Sequence, residues 1–441
     1  MNQEIKQALV FTDASNFVSF IEKQKRFSKK VSLENMKYFS SLFNHPEQKL
    51  NFIHITGTNG KGSTVAYLKN IYLKQGLNVG TFTSPYIECF NERISYNGKN
   101  ITDDELLKYG NLILSKYPKM EQDGMPYPTF FEFITLLALI YFASITEIDL
   151  VLFEVGIGGR LDATNIITPI VSVITNVSYD HTTQLGNTLE LITKEKLGIV
   201  KPNIPLVTSC KNQKLLKIME EDCMLKHSMF IKVDFERLKI KKLDLDSSVF
   251  SYADYELLFQ VKMLGLHQIE NACLAIEIVN LINKIYQNKK SNFCVSSEIL
   301  YEGLISTSWI GRLECISKAP LIYLDGGHNI DCIKRVCEFV KQIKCNHKRV
   351  VVSISSDKDL KEMINLLDQT FDELIFTNYT YNRSAHAEDL YHLSQSQTKK
   401  LIVNIEDSID YCFNRPTDFT LFTGSLYLIS EIRPKILNRK N

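Results

Sequence analysis

The stretch "HITGTNGKGST", His54 to Thr64, decides the fold of the first half of the chain. It follows a short apolar segment, and the next residues, "VAYLKNIYLKQG", have the apolar spacing of a helix. A phosphate-binding loop needs glycines that let backbone N–H groups face an anion, a positive charge, and a helix N-terminus. The charge here comes from Lys61, and the glycines are Gly57, Gly60 and Gly62. The stretch therefore predicts a phosphate-binding loop between a strand and a helix.

This loop differs from the common phosphate-binding pattern G-x-x-x-x-G-K-[ST]. It is two residues shorter before Gly60 and Lys61, and a further glycine, Gly62, follows the lysine. Ser63 and Thr64 stand where a hydroxyl group can approach a magnesium ion. On these residues alone, a solvated glycine-rich turn is the alternative interpretation.

Composition and charge exclude several classes of protein. The 441 residues are enough for two or three domains. Lys and Arg number 51 and Asp and Glu number 50, so the net charge of +1 gives no overall basic field for nucleic acid or an anionic membrane. The first residues lack a signal-peptide pattern, and the apolar run from Phe133 to Ala143 is too short to span a bilayer. The ten scattered cysteines favour a reducing compartment, and we expect a cytoplasmic protein.

Strand-like and helix-like segments alternate from about residue 50 onward. The clearest strand segments of the first half are "NFIHIT", "NVGTFTS", "IDLVLFEVG" and "IVSVITNV". Alternation of this kind predicts a parallel sheet covered by helices on both faces. Residues 239–264 contain short alternating runs, which predict a small antiparallel segment. The alternation begins again after about residue 306 and predicts a second, smaller α/β unit.

The short loop form "GTNGKGS" resembles the ATP-binding loop of the Mur ligase superfamily. Within it, the match is closest to the folylpolyglutamate synthase and dihydrofolate synthase family. Further segments agree with that family in order and spacing: "TSPYIECFNERI" (83–94), "TFFEFIT" (129–135), "EVGIGGRLDATN" (154–165), "DHTTQLGNTLELITKEKLGIVKP" (180–202), "HQIENA" (267–272), "GRLE" (311–314), "LDGGHN" (324–329) and "FTGSLYL" (422–428). The resemblance covers about residues 30 to 430.

The resemblance implies both a fold and a reaction. The fold is α/β, with a P-loop-containing parallel-sheet ATPase domain followed by a smaller Rossmann-like α/β domain. We expect the Mur-ligase-like, ATP-binding catalytic domain over 1–306 and the glutamate ligase domain over 307–441. The implied reaction is ATP-dependent addition of L-glutamate to tetrahydrofolate through an acyl phosphate, giving ADP and phosphate. Addition to 7,8-dihydropteroate is left open, and the implied partners are these small molecules, with no nucleic acid or membrane, for a monomer.

The resemblance also implies a metal site and catalytic residues. Magnesium prefers hard oxygen ligands, and the implied ligands are Ser84, Glu154, His181 and Lys196, the last as a carbamylated lysine. The implied catalytic residues are Lys61, His181 and Lys196. Without the resemblance, Glu154 reads as a strand-end cap or an ion-pair member, His181 as a structural histidine, and Lys196 as one lysine of a solvated charge run.

The remaining expected site residues bind the nucleotide or the acceptor. For ATP they are Gly57, Thr58, Asn59, Gly60, Lys61, Gly62, Ser63, Thr64, Asn271, Arg312, Asp325 and His328. For the folate or pteroate acceptor they are Arg93, Thr129, Phe130, Phe131, Leu161, Asp162 and Ala163. An interdomain salt bridge is the alternative for Arg312, a turn or cap residue the alternative for Asp325, and core packing the alternative for one of the two phenylalanines.

Some positions depart from the family pattern. Leu197 stands in place of an alanine, Gly327 and Ile330 differ within the "LDGGHN" region, and Asn35 stands where an arginine is usual. Two other functions are considered: a Mur-type ligase that adds an amino acid to a cell-wall precursor, and a P-loop nucleotide-binding regulator without ligase chemistry. The first would not require "FNERI" together with "TFFEF" and "GRLDATN", and the second would not require "LDGGHN".

Overall fold

An eight-stranded, mainly parallel sheet is the centre of the first of two structural units. The computed structural model describes residues 10–25, 32–287, 292–381 and 383–439. The strands of this sheet are β1 (Phe52–Thr56), β2 (Val79–Phe82), β3 (Ile94–Tyr96), β4 (Lys99–Asn100), β5 (Leu150–Glu154), β6 (Val171–Ile174), β7 (Leu206–Thr208) and β8 (Phe230–Lys232). Their order is β4-β3-β2-β5-β1-β6-β7-β8, and only β3 and β4 run antiparallel to their neighbours.

Strand β1 lies in the middle of this sheet, paired in parallel with β5 and β6. All five of its residues are buried, as expected for a strand with both faces covered. The carboxyl ends of β1, β2, β5 and β6 lie at one edge of the sheet, where open α/β sheets bind ligands. The predicted parallel sheet is therefore confirmed, and it places the loop after β1 at the edge that can bind a ligand.

The helices of the first unit cover this sheet. They are α1 (Ala14–Glu22), α2 (Glu34–Ser41), α3 (Lys61–Lys74), α4 (Asp103–Leu114), α5 (Tyr117–Gln122), α6 (Phe130–Ala143), α7 (Thr182–Leu185), α8 (Leu189–Leu197) and α9 (Gln213–Leu225). Helix α6 is buried at every position from Glu132 to Phe142, because a helix that is apolar all round has no face suited to water. Its Phe133 belongs to the same apolar core as Phe82 and Phe153.

The second unit contains a six-stranded mixed sheet. Its strands are β12 (Glu314–Lys318), β13 (Leu321–Leu324), β14 (Lys348–Val352), β15 (Glu373–Phe376), β16 (Lys399–Leu401) and β17 (Phe419–Thr423). The order is β12-β13-β17-β14-β15-β16, with only β12 antiparallel. The helices are α12 (Ile330–Gln342), α13 (Leu360–Asp368), α14 (Ala387–Leu393), α15 (Ile405–Asn414) and α16 (Leu426–Asn438). The predicted second α/β unit is confirmed.

The predicted antiparallel segment is also present, as the three-stranded sheet β9 (Leu238–Leu243), β10 (Ser248–Tyr252) and β11 (Phe259–Val261). Two further helices are α10 (Leu266–Tyr286) and α11 (Ser297–Ile305). The first unit extends to Asp234 and includes Asn271–Gly303, while the second comprises Phe235–Glu270 and Leu304–Asn441. The division into functional domains at residue 306 stays a prediction. None of the helices in the described part of the chain is long and apolar enough to cross a membrane.

A buried ion pair joins neighbouring strands β14 and β15 in the second unit. Arg349 Nε donates to Glu373 Oε2 at 2.7 Å, and the Tyr411 hydroxyl donates to Glu373 Oε1 at 2.8 Å. The two charged side chains are only 3% and 5% exposed. We expect Glu373→Ala to lower the free energy of unfolding by about 3–5 kcal/mol, because it leaves the arginine charge buried without its carboxylate.

The measurement is urea unfolding followed by circular dichroism, with Glu34→Ala as the control. Glu34 pairs with Lys37 at 3.0 Å on an exposed surface, where an ion pair contributes little. Equal effects of the two substitutions on the unfolding midpoint would contradict the argument.

Candidate active site

The glycine-rich loop leads from the carboxyl end of β1 into the 14-residue helix α3. Gly60 is the residue before the helix, with a left-handed φ of 85° and no side chain to cap it. The first N–H groups of a helix have no partner within the helix, so this N-terminus suits an anion. Lys61 Nζ donates to the carbonyl oxygens of Gly57 and Thr58 at 3.0 and 3.2 Å. The lysine thereby folds back over the loop that it follows.

The residues after β6 hold this loop in place. The N–H of Thr58 donates to the Asn176 carbonyl oxygen at 3.0 Å, and the N–H of Asn59 donates to Asn176 Oδ1 at 2.9 Å. The Thr175 hydroxyl donates to the Asn59 carbonyl oxygen at 2.6 Å. Thr175 and Asn176 were not predicted as site residues. Polar residues directly after the apolar strand "IVSVI" could have indicated them, because open α/β sheets bind ligands at the carboxyl ends of their strands.

Asn271, predicted to contact the nucleotide, lies against the same loop. A Cβ atom on Gly60 would lie only 2.5 Å from Asn271 Oδ1. The structure therefore brings Asn271 of helix α10 together with the loop residues, and only glycine fits between the loop backbone and this side chain. Ser63 and Thr64 are buried in the first turn of α3, and the Thr64 hydroxyl donates to the Gly60 carbonyl oxygen at 2.9 Å.

Two of the four predicted magnesium ligands are adjacent at the same sheet edge. Glu154 ends β5 and is buried, and its Oε2 accepts a hydrogen bond from the Ser84 N–H at 3.2 Å. This contact is made by the backbone N–H of Ser84. By chemical type, the Glu154 carboxylate and the Ser84 hydroxyl are the hard oxygen donors that magnesium prefers. Across the described residues, no group of three or more His, Cys, Asp or Glu side chains is arranged to hold a metal. The Ser84 and Glu154 side chains fit the ion as part of a set completed by other oxygen donors.

His181, a third predicted ligand, precedes the short helix α7 and is exposed. Its φ of 49° is left-handed, which is uncommon for a residue with a side chain and marks a tightly turned loop. The N–H of His181 donates to its neighbour's carboxylate, Asp180 Oδ1, at 2.9 Å. Asp180 lies in the segment 180–202 but was not predicted as a site residue.

Lys196, the fourth predicted ligand, is buried because α8 approaches the "GGR" loop very closely. A Cβ on Gly198 would lie 2.2 Å from Arg160 Cα, and a Cβ on Gly159 would lie 3.0 Å from the Lys196 carbonyl oxygen. The Arg160 N–H donates to the Glu195 carbonyl oxygen at 2.7 Å, and its guanidinium contacts Glu195 Oε1 at 2.9 Å. This contact fixes the last turn of α8 against the loop and encloses Lys196, which is 2% exposed.

Burial changes the proton affinity of Lys196. Loss of solvent lowers the pKa of Lys196 to about 7, and the neighbouring Lys61 charge acts in the same direction, while Asp180 opposes both. Close to half of the amines are therefore neutral near pH 7. The interpretation of Lys196 as one of a solvated run of lysines is wrong for this residue, because its side chain is buried, although Lys194 on the same helix is exposed.

Four of the seven predicted acceptor-binding residues form two groups. Asp162 is buried, and its two oxygens accept hydrogen bonds from the Ile157 N–H at 3.0 Å and from the Thr164 N–H and hydroxyl at 3.0 and 2.6 Å. Burial raises the pKa of Asp162, and these donors oppose the rise. A Cβ on Gly156 would lie 2.6 Å from the Phe131 ring and 3.1 Å from Asp162 Oδ2. The structure thus brings Phe131 and Asp162 together.

The second group surrounds Arg93, which is 7% exposed. Its guanidinium carbon lies 5.0, 5.6 and 5.3 Å from the ring centroids of Tyr86, Phe90 and Phe130, distances typical of cation–π contacts. Phe130 is therefore an arginine contact in this structure. Tyr86 and Phe90 were not predicted, although both lie in the quoted segment 83–94.

Three predicted acceptor residues have clear structural roles. Thr129 begins α6: its hydroxyl accepts from the Glu132 N–H at 3.4 Å, and Glu132 Oε2 accepts from the Thr129 N–H at 2.8 Å. This is a capping box. Ala163 is part of the apolar core, and Leu161 is half-buried in the loop beside it. Acceptor contacts for Thr129, Leu161 and Ala163 stay predictions.

The second unit holds Arg312, Asp325 and His328 around two loops. Asp325 follows β13, is buried, and accepts from the Leu313 N–H at 3.0 Å and the Gly327 N–H at 2.8 Å. Burial raises the pKa of Asp325, while the nearby Arg312 guanidinium lowers it. His328 Nδ1 lies 2.9 Å from the Gly326 carbonyl oxygen. Asp325 therefore acts as a turn residue, which was the alternative interpretation. Its contact with the nucleotide stays a prediction.

Comparison with known proteins gives the family. The model of the Mur ligase middle domain matches residues 55–279, and that of the Mur ligase glutamate ligase domain matches residues 311–426. The dihydrofolate synthase/folylpolyglutamate synthase of Bacillus subtilis (strain 168) is 35% identical over 434 residues, which are 97% of this chain and 100% of that protein. The chain belongs to the folylpolyglutamate synthase/dihydrofolate synthase family of Mur ligases.

Other members of this family are similar over the same length. The folylpolyglutamate synthase of Lacticaseibacillus casei is 31% identical over 436 residues, 96% of this chain and 99% of that protein. The crystal structure of a folylpolyglutamate synthase from Thermotoga maritima has a TM-score of 0.82 at 28% identity and covers 97% of both chains. The chain is thus an ATP-dependent ligase of this family, and the predicted family, α/β fold and enzyme class are confirmed.

The contact between Gly60 and Asn271 gives a test of the loop. We expect Gly60→Ala to weaken ATP binding at least about tenfold, because the new methyl group forces the loop away from Asn271 and displaces the first N–H groups of α3. The measurement is isothermal titration calorimetry with ATP.

Gly98→Ala is the matched control. Gly98 has a similar left-handed φ of 77°, but no heavy atom lies within 4 Å of its added Cβ. The Gly98→Ala variant has the same unfavourable left-handed backbone conformation but no steric clash, so its ATP affinity should stay at the wild-type value. If both variants bind ATP as wild type does, the loop is not the nucleotide site.

Proposed function

We propose that this ligase joins the amine of L-glutamate to a carboxylate of tetrahydrofolate, with ATP as the second substrate, and that 7,8-dihydropteroate is a further candidate acceptor. The observation that carries the proposal is the β1–α3 loop, with Lys61 folded over it and close enough to buried Lys196 for its charge to lower the pKa of Lys196. A loop of this kind supports phosphate binding, and the family supports the acceptor class.

The chemistry follows from the weakness of a carboxylate as an electrophile. An acceptor carboxylate oxygen attacks the γ-phosphorus of ATP, the bond from that phosphorus to the bridging oxygen breaks, and ADP leaves. The neutral amine of glutamate then attacks the carbonyl carbon of the acyl phosphate. The tetrahedral intermediate expels inorganic phosphate, and the amine proton is lost to solvent or a base. Phosphoryl transfer of this kind depends mainly on positioning and charge stabilisation.

Residues of the glycine-rich loop can supply both the positioning and the charge stabilisation. We assign the N–H groups at the start of α3, in residues 61–63, to the phosphate oxygens, and Lys61 to the charge that develops during transfer. Thr58, Asn59, Ser63, Thr64 and Asn271 complete the proposed nucleotide contacts in the first unit. Arg312, Asp325 and His328 remain predicted nucleotide contacts of the second unit.

The proposed magnesium ligands are Ser84, Glu154, His181 and carbamylated Lys196. A bound magnesium ion would neutralise phosphate charge. Support comes from the contact between Ser84 and Glu154 and from the burial of Lys196, since a carbamate forms only on a neutral amine. The carbamate would turn this buried cation into an anion with two oxygen donors.

The proposed acceptor residues lie in the first unit. Asp162 and Phe131 border one surface, Arg93 and Phe130 another, and Arg93 is the proposed partner of an acidic substrate tail. A cytoplasmic monomer stays the prediction made from the sequence.

Carbamylation of Lys196 has a defined pH dependence. Because burial lowers its pKa to about 7, the neutral amine predominates above that pH and the ammonium below it. We expect incorporation of labelled CO₂ at Lys196, trapped by alkylation and located by mass spectrometry, to fall as the pH drops through about 7. Lys196→Ala should lose the label and about 10²–10³ of kcat.

Lys194→Ala is the control, since Lys194 is exposed on the same helix. It should keep both the label and the activity. A fully active wild-type enzyme with unmodified Lys196 throughout this pH range would contradict the carbamate.

The function itself is tested by ATP-dependent incorporation of labelled L-glutamate into tetrahydrofolate and, separately, into 7,8-dihydropteroate, each with Mg²⁺. Product from tetrahydrofolate alone would define a folylpolyglutamate synthase, and product from both acceptors a bifunctional enzyme. Product from dihydropteroate alone would define a dihydrofolate synthase. Folded protein that makes neither product would overturn the proposal, and a uridine-linked cell-wall precursor would be the next acceptor to assay.

A further inference from the structure

A buried chain of three polar side chains connects β1 to the "RLDATN" loop. His54, in the middle of β1, has its Nε2 atom 2.8 Å from the Thr164 hydroxyl oxygen. That hydroxyl is 2.6 Å from Asp162 Oδ1. His54 and Thr164 are fully buried, and Asp162 is 8% exposed. Neither His54 nor Thr164 was predicted as a site residue.

The direction of each hydrogen bond follows from the number of donors. Asp162 accepts two backbone N–H groups, one on each oxygen, and the Thr164 hydroxyl donates to its Oδ1 atom. This donation uses the single proton of the Thr164 hydroxyl. The Thr164 oxygen then accepts from His54, whose Nε2 must carry the proton. His54 is neutral, since burial lowers its pKa to about 3 and Lys201 adds to the effect.

A buried histidine at position 54 has an energetic cost that an apolar residue would avoid. With Nε2 protonated, Nδ1 is an acceptor, and it is buried with no hydrogen-bond partner among the described residues. A buried acceptor without a partner is unfavourable, while the ring otherwise packs near the Phe153 ring, at 6.3 Å. The hydrogen bond from Nε2 to Thr164 offsets this cost.

A second link joins the same strand to the same loop. The Thr56 hydroxyl, two residues after His54, donates to the Gly158 carbonyl oxygen at 2.6 Å. The loop is therefore attached to β1 at two places, and β1 continues directly into the glycine-rich loop. The position of Asp162 is thus set from the strand that carries the phosphate-binding loop.

We propose that His54 is a positioning residue: its Nε2–H orients the Thr164 hydroxyl, which holds the Asp162 carboxylate ready to accept hydrogen bonds from the pterin part of the acceptor. This inference rests on the proposed function, in which Asp162 contacts the acceptor. An acceptor with ring N–H and amino donors fits such a carboxylate, and one that lacks them does not.

The test uses the KM values for tetrahydrofolate and ATP in the incorporation assay. Thr164→Val keeps the shape of the side chain and removes the hydroxyl. It should raise the KM for the acceptor about tenfold, because it removes one donor from a buried carboxylate and leaves the His54 N–H unpaired. The KM for ATP should stay within about twofold. Thr164→Ser, which keeps the hydroxyl, should restore the acceptor KM.

Substitutions of His54 test the direction of the hydrogen bond between His54 and Thr164. The amide nitrogen of glutamine reaches about as far as Nε2, whereas asparagine is too short. His54→Gln should therefore keep an acceptor KM near the wild-type value, and His54→Asn should match Thr164→Val. A change that merely loosened the core would not separate these two variants.

Thr208→Val controls for the loss of a buried threonine hydroxyl. Thr208 on β7 is equally buried, donates to the Ile174 carbonyl oxygen at 2.7 Å and accepts from the Cys210 N–H at 3.1 Å. It should lower the melting temperature without changing the acceptor KM. If the wild-type enzyme is active, two results would overturn this inference and leave the proposed function standing. One is an unchanged acceptor KM in Thr164→Val, and the other is an equal rise of the acceptor KM in Thr208→Val. Folded wild-type enzyme that uses neither pterin acceptor would overturn the proposed function instead.

Discussion

The close approach of two backbone segments, the "GGR" loop and the end of helix α8, is the constraint on which the site depends. No Cβ fits at Gly198 against Arg160, nor comfortably at Gly159 against the carbonyl groups of α8. The last turn of α8 is held against this loop, and within that turn Lys196 is buried while Lys194 stays exposed. The lowered pKa of Lys196 follows mainly from this burial, and the neighbouring Lys61 charge acts in the same direction.

The same sheet edge collects groups from four strands. The ends of β1, β2, β5 and β6 contribute the glycine-rich loop, Ser84, Glu154 and the pair Thr175 and Asn176. Parallel pairing makes this possible, since it puts every carboxyl end on one side. Three of the hydrogen bonds that hold the glycine-rich loop come from Thr175 and Asn176 at the end of β6, far away in sequence. A phosphate-binding loop here is therefore a property of the sheet as much as of its own glycines.

Polar groups buried beneath the site are connected in networks, and each has a structural function beside any chemical one. Asp162 orders the loop around it through three donors, and Asp325 orders its loop in the second unit through two. Burial raises the pKa of both carboxyl groups, and their N–H donors oppose the rise. Such a group is both a turn residue and a preorganised acceptor, so the two interpretations that the sequence offered for Asp325 are compatible.

The sequence by itself determined the elements and the family. The apolar runs predicted the strands β1, β2, β5 and β6 of the first sheet and a second α/β unit, and the glycine-rich stretch predicted the strand–loop–helix junction. Eight further segments identified the family because their order and spacing are jointly specific. Only the tertiary structure decided which side chains share an environment. Lys194 and Lys196 belong to one lysine-rich run whose local pattern treats them alike, and only the resemblance singled out Lys196; in the structure Lys194 is exposed and Lys196 is buried. His54 looks like one polar residue in a strand, and its bond to Thr164 spans 110 positions. Burial and long-range hydrogen bonds depend on how distant segments pack, and local patterns carry no record of that packing.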